Sequence, residues 1–246
     1  MKINVQPCNL VVDVGNTLTK VAIFCNDDLT FIERYPKITL QLIEDIVKNF
    51  NVTRAIISSV GESSPDFETF FPHNINVLYF TAGVNIPLKN CYKTPSTLGT
   101  DRLALAVAAN TIYPNCNVLV IDSGTAITYD IITEYGEYMG GAISPGIEMR
   151  FKALNTYTAK LPLLAIENNF PLIGTTTKES MLSGVLNGTI NEVDGYIQEI
   201  SKEYPLLKVV FTGGNANFFD KKLKNTIFVH PNLLIFGLNR ILNYNE

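Results

Sequence analysis

The chain is predicted to fold as an α/β protein built from two related halves. Three observations support this: short apolar runs alternate with segments of helical periodicity, the apolar fraction is that of a folded protein, and one acidic turn occurs twice. Of 246 residues, 46% are hydrophobic and 17% charged, enough to bury one large core or two modest ones and unlike a disordered chain. The net charge is −4 with no cluster of five or more Lys and Arg, so no nucleic-acid footprint is visible. No basic amphipathic segment or transmembrane-length apolar run is present, so a membrane partner is not expected either. The N-terminal apolar stretch is interrupted by Asp13 and is too short for a signal peptide. Cys8, Cys25, Cys91 and Cys116 are scattered without a C-x-x-C pair, which predicts free thiols in a reducing cytoplasm and no cysteine-held zinc. His73 and His230 have no metal spacing, so a general base is expected to be a carboxylate.

In chain order, Leu10–Val12 and Leu18–Phe24 read as the strands of a hairpin around "DVGNT". "LQLIEDIVKNF" has helical spacing, "RAIISSV" is a short buried strand, "DFETFF" reads as a helix and "INVLYFT" as a strand. "DRLALAVAANTIY" is a helix with Thr100 or Asp101 at its cap. "NVLVIDSGTAITYDII" then repeats strand, turn and strand. Aligning Asp13 with Asp122 pairs Leu10 with Leu119, Val11 with Val120, Gly15 with Gly124 and Thr19 with Thr128. "YMGGAISPGIEMRFKAL" is a strand, a Gly-Pro-Gly turn and a helix. "KESMLSGVLNGTINEVDGYIQEI" is a long helical stretch weakened by Gly184, Gly188 and Gly195. "KVVFTGGNANFF" is strand, glycine pair and helix, and "NLLIFGLNRILNY" is a closing helix. The expected boundary lies near Pro114, dividing the chain into 1–114 and 115–246.

The two acidic turns carry the chemistry. Gly15 and Gly124 let a ligand approach the backbone, and successive amides in such a turn attract anions. An aspartate at the strand end would repel a bare phosphate but suits one bearing hydrated Mg²⁺. A single Asp-x-Gly-Asn turn is also ordinary hairpin chemistry, and it is the second copy that favours a nucleotide grip. Lys20 either adds positive charge to that grip or is a solvated strand residue. No G-x-x-x-x-G-K-[ST], G-x-G-x-x-G or G-x-S-x-G occurs, which removes Walker ATPases, Rossmann dehydrogenases and hydrolases with a nucleophile elbow. In "GTDRLALAVAAN", Asp101 and Arg102 are either a cap and a surface charge, or a general base and an anion-orienting arginine. "GGAISPG" and "TGGNA" either admit a ligand or allow close packing of neighbouring elements.

D-x-G-N-T at Asp13–Thr17, G-x-D-R at Gly99–Arg102, D-x-G-T-A-x-T at Asp122–Thr128 and G-G-x-I-x-P-G at Gly140–Gly146 follow in that order, with "KLPLL", "GTTTKESM" and "FTGGNA" after them. Over nearly its whole length the chain resembles the type III pantothenate kinases. The resemblance implies two ribonuclease-H-like domains of the actin-like ATPase kind around a cleft. It also implies transfer of phosphate from ATP to pantothenate in the first committed step toward coenzyme A. Mg²⁺, a monovalent cation (K⁺ or NH₄⁺), a cytoplasmic location and a homodimer are implied with it. Position by position, it puts ATP at Asp13, Val14, Gly15, Asn16, Thr17, Leu18, Thr19, Lys20 and Thr125. Mg²⁺ falls near Asp13 through water and the monovalent cation on Asp122. The catalytic base is implied at Asp101, and substrate contacts at Tyr92, Gly99, Thr100, Asp101, Arg102 and Thr177. One departure is Thr176, where the family often has Asn. Two other readings remain open at this level: a kinase for another small alcohol, and a non-catalytic nucleotide-sensing regulator. A filament-forming actin relative has little room in 246 residues.

Overall fold

Leu10, Val11 and Val12 are fully shielded from solvent, and so are Val21, Ala22 and Ile23 opposite them; this burial forms the strands β1 (Cys8–Val14) and β2 (Thr19–Cys25). The computed structural model describes residues 6–15, 18–59, 71–72 and 74–245. Around the hairpin lie β3 (Asp28–Tyr35), β4 (Val52–Ser59) and β5 (Asn76–Tyr79) in the order β3-β2-β1-β4-β5. The first three strands are antiparallel, and β4 and β5 run parallel to β1. β3 is an addition to the sequence reading. Its residues are only half-buried or exposed, as befits an edge strand, so it lacks the apolar run that marks the others.

One face of this sheet packs Leu10, Val12, Ile23, Ala55 and Ile57 against Ile43 and Ile46 of α1 (Leu40–Asn49). Thr39 caps that helix by accepting the Leu42 N–H at 3.3 Å. The opposite face receives the last helix of the chain, Leu233–Tyr244. The expected "DFETFF" helix falls almost wholly on residues outside the described ones.

After a two-residue strand β6 (Lys89–Asn90) comes α2 (Thr100–Ile112). The second set of strands is β7 (Val118–Ser123), β8 (Ala126–Ile132), β9 (Glu137–Pro145), β10 (Lys208–Thr212) and β11 (Phe228–Val229). These run β11-β10-β7-β8-β9, the mirror listing of the first order. β7, β8 and β9 are antiparallel neighbours, while β10 and β11 are parallel to β7. The registers correspond as well. Asp13 faces Lys20 and Ser58; Asp122 faces Thr128 and Thr212. The echo in the sequence is therefore a structural repeat, each copy with the strand arrangement of a ribonuclease-H-like unit.

On the second sheet pack α3 (Ile147–Thr156), the run α4 (Thr177–Leu182) to α5 (Gly188–Glu203), and the short α6 (Ala216–Phe219). Phe151, Val193, Ile197, Phe211 and Phe219 form its core. The predicted long helix is present, with one π turn at Ser183–Asn187 joining α4 to α5. The partly buried Glu192 ties the elements together, accepting from Arg150 at 2.7 Å, Ser144 at 2.5 Å and Tyr129 at 3.2 Å. Burial works to raise the Glu192 pKa, but these donors outweigh it and leave it lowered.

The chain divides into two compact units, Met1–Ala108 with Leu233–Glu246, and Ala109–Asn232. The expected division at 114/115 differs mainly in α7 (Leu233–Tyr244), which packs on β1 and β4 of the first unit. Phe236 meets Phe24 edge-on at 5.4 Å, Asn9 donates to Asn239 and Asn243, and Arg54 donates to the Leu242 carbonyl. Two cysteines also depart from the expectation of free thiols. Cys8 and Cys25 face each other in the β1–β2 register and are joined as a disulfide, whereas Cys91 and Cys116 are free. Their separation in sequence hides a pairing that the hairpin imposes. No helix among the described residues is long and apolar enough to cross a membrane.

Candidate active site

In the first unit the site is built at the carboxyl ends of β1 and β4 and the start of α2. Asp13 ends the apolar run of β1 and is buried, with Lys20 opposite it across the hairpin. Burial pushes its pKa up to about 6; Lys20 opposes that rise and the charge of Asp101 adds to it. Asp13, Lys20 and Asp101 are therefore within electrostatic reach of one another. The Gly15 N–H donates to the Leu18 carbonyl at 3.2 Å and closes the turn, leaving Leu18 exposed. Asn16 and Thr17 lie outside the described residues.

Neither Thr100 nor Asp101 is the cap residue of α2, as the sequence suggested. A 3₁₀ turn at Pro95–Thr97 leads through Leu98 to Gly99, whose carbonyl accepts the Leu103 N–H, so Thr100 is already the first helical residue. Asp101 instead turns back on the helix end, accepting the Arg102 N–H at 2.9 Å. A β-carbon on Gly99 would stand 2.4 Å from the Asp101 carboxylate as it is now placed. Arg102 is buried and its guanidinium lies 5.9 Å from the centre of the Tyr92 ring. Tyr92, Gly99, Thr100, Asp101 and Arg102 thus form one group, a carboxylate at a helix N-terminus beside an arginine–aromatic pair.

The second unit repeats the turn one residue shorter and without a lysine: Thr128, aligned with Thr19 in the sequence, stands in the register where Lys20 does. Here the two glycine stretches left open by the sequence wrap one loop. Gly146, the N-cap of α3, donates to the Thr125 carbonyl at 3.0 Å, and Asn215 donates to the Ser123 carbonyl at 3.0 Å. Gly213 has φ +95, and a β-carbon there would approach the Ser123 carbonyl and the Asp122 carboxylate to 2.4 Å. Thr125 itself is exposed at the tip. Gly213→Ala is expected to lose about 1–3 kcal/mol of stability through its backbone conformation alone, with further loss from the clash, read by urea unfolding. An unchanged midpoint would mean that this cradle is not rigid.

Thr177 belongs to a different hollow of the second unit, of about 1030 Å³, lined by Arg150, Leu154, Tyr157, Thr177 and Met181 among others. Thr176 is the N-cap of α4. It accepts the Glu179 N–H at 3.2 Å while the Glu179 carboxylate reaches back to the Thr176 N–H, a capping box. Asn serves this capping position equally well, so the Thr176 departure concerns how a helix starts.

The residues fit the groups that the resemblance implies. A buried carboxylate at a turn, with a lysine beside it, suits a hydrated divalent ion on phosphate. Among the described residues, no three His, Cys, Asp or Glu side chains converge to cage a metal. Mg²⁺ commonly keeps several waters and takes one or two carboxylates, with phosphate supplying the rest. Sequence reasoning passed over Ser58 beside Asp13 in the first unit; in the second, Asn215 of the singled-out "TGGNA" donates to Glu148 at 2.9 Å. Ser58 shows in the sequence only as a small polar residue ending an apolar strand; pairing of β4 with β1 gives it a neighbour.

Residues 9–199 match the family model of type III pantothenate kinases. A type III pantothenate kinase of Christiangramia forsetii is 44% identical over 240 residues, covering 97% of this chain and 99% of that one. Another, from Phocaeicola vulgatus, is 42% identical over 239 residues, with 97% and 99% covered. Among solved structures, a Campylobacter jejuni protein described as of the Baf family of transcriptional activators superposes with a TM-score of 0.60. It is 22% identical, with 96% of this chain and 98% of that one covered, and shows a shared fold. Matched along nearly its whole length, the chain belongs to the type III pantothenate kinase family.

Proposed function

We propose that this chain transfers the γ-phosphoryl group of ATP to the primary hydroxyl of pantothenate, giving 4'-phosphopantothenate and ADP at the entry to coenzyme A synthesis. Family membership over nearly the full length supports the reaction. The observation that carries the site is Asp101 at the N-terminus of α2, within electrostatic reach of Asp13 and adjoining the Arg102–Tyr92 pair.

Asp101 accepts the hydroxyl proton as the substrate oxygen bonds to phosphorus and the bond to the ADP oxygen breaks. Arg102, stacked by Tyr92, orients the pantothenate carboxylate, and Thr177 contacts the substrate. In a loose phosphoryl transfer the protein's work is positioning and charge stabilisation. Asp13, with the turn Val14–Thr19 and Lys20, holds the phosphates; Thr125 holds the nucleotide from the second turn. Bound Mg²⁺, reached from Asp13 through water, would neutralise phosphate charge, and Asp122 would hold K⁺ or NH₄⁺. A cytoplasmic homodimer completes the reading.

The test is the purified chain with ATP, Mg²⁺, K⁺ or NH₄⁺ and pantothenate, with phosphopantothenate followed by mass spectrometry beside a panel of other small alcohols. Product from pantothenate alone is expected. No product under any cation condition, or a faster reaction with another alcohol, would overturn the assignment.

A further inference from the structure

Ser58 is fully buried, yet its hydroxyl has no hydrogen-bond partner among the described residues. Left so, it weakens the fold, because a buried hydroxyl gives up water for nothing in return. Its place is specific. In the parallel β1–β4 ladder Ser58 is the register partner of Asp13, so the two side chains share one face at a strand spacing of about 4.8 Å. That face carries Asp13 and Lys20 at one end of the strands, and α7 covers the other end through Asn9, Phe24 and Arg54.

The repeat supplies an internal control. Thr212 is to Asp122 what Ser58 is to Asp13, the register partner on the next parallel strand. Thr212 is also buried, but its hydroxyl donates to the His230 carbonyl at 2.8 Å and is structurally satisfied. One position, seen twice, is used for structure in one unit and left uncommitted beside Asp13 in the other.

We infer that Ser58 is a positioning residue for nucleotide binding: when MgATP binds, its uncommitted hydroxyl turns to donate to the neighbouring Asp13 carboxylate and fixes the orientation in which Asp13 meets the hydrated cation on the phosphates. This rests on the reading of Asp13 as the carboxylate that holds Mg²⁺ through water. The hydroxyl adds no charge and takes part in no bond-making; it selects one rotamer of its neighbour.

Calorimetric titration of the ligand-free protein with MgATP, and separately with ATP in EDTA, tests it alongside thermal unfolding. Ser58→Ala is expected to weaken MgATP binding roughly 10- to 150-fold, the loss of one hydrogen bond to a charged group. It should leave metal-free ATP binding unchanged and the melting temperature unchanged or higher. Ser58→Thr, which keeps the hydroxyl, should bind MgATP more tightly than Ser58→Ala. Three results overturn the inference: unchanged MgATP affinity in Ser58→Ala while Asp13→Asn loses it, equal loss for both ligand forms, or a lower melting temperature with MgATP affinity kept. If Asp13→Asn itself binds MgATP normally, the reading of Asp13 fails and the inference falls with it.

Discussion

Asp101→Asn folds with near-normal stability and turns over about 10²- to 10⁴-fold more slowly, with little change in the KM for pantothenate. The expectation follows from the contacts. Asparagine keeps the side-chain oxygen that accepts the Arg102 N–H at 2.9 Å, so the first turn of α2 retains its hydrogen bond. It also has the same shape beside Gly99, where a β-carbon would stand 2.4 Å from the carboxylate. What disappears is the basic oxygen, together with a helix-end charge interaction of about 0.3–1 kcal/mol. Steady-state kinetics with saturating ATP and a urea melt settle the point. Turnover near the wild type would remove Asp101 as the base, and a collapsed melt would make its role structural.

Asp13→Asn separates function from stability in the opposite direction. Burial raises the Asp13 carboxyl from 3.8 to about 6, against the attraction of Lys20 and with the repulsion of Asp101. A carboxyl with a raised pKa in the folded state favours folding fully below its unfolded value near 3.8. That contribution is lost as pH rises through about 6. At pH 7 the ionised, buried group therefore costs the ligand-free protein up to about 3 kcal/mol. The neutral asparagine does not bear this cost. The variant should be more stable than the wild type at pH 7, and the difference should shrink as pH falls from 6 toward 4. Its MgATP affinity and turnover should fall together. Urea unfolding at several pH values without nucleotide reads the stability, and titration with MgATP reads the affinity. Lower stability at pH 7 would mean that Asp13 makes contacts outweighing its burial. Stored instability of this kind is what a site exacts when it keeps a charge ready for a cation.

Much of this was legible before any coordinates. Val11, Val12 and their counterparts Val120 and Ile121 mark buried central strands because nothing polar interrupts them until Asp13 and Asp122. The acid at the end of such a run is conspicuous, since its burial is costly wherever it is not used. β3 was missed because an edge strand buries little and so need not alternate cleanly. The backbone groups it turns toward β2 are satisfied by pairing, which no composition records. The open alternatives at "GGAISPG" and "TGGNA" were resolved by space: Gly146 and Gly213 close on the same loop, 122–126, from two sides.

Local chemistry, then, was enough to name the fold class, the repeated acidic turn and the carboxylate at the head of α2, because each depends on residues near one another in the chain. Four features waited for the folded chain: the Cys8–Cys25 pairing, the docking of α7 on β1 and β4, the Arg102–Tyr92 contact and the uncommitted hydroxyl of Ser58 beside Asp13. Each is a meeting of segments separated along the backbone. Strand register and packing decide such meetings through burial summed over a whole sheet, and no short window of residues carries that sum.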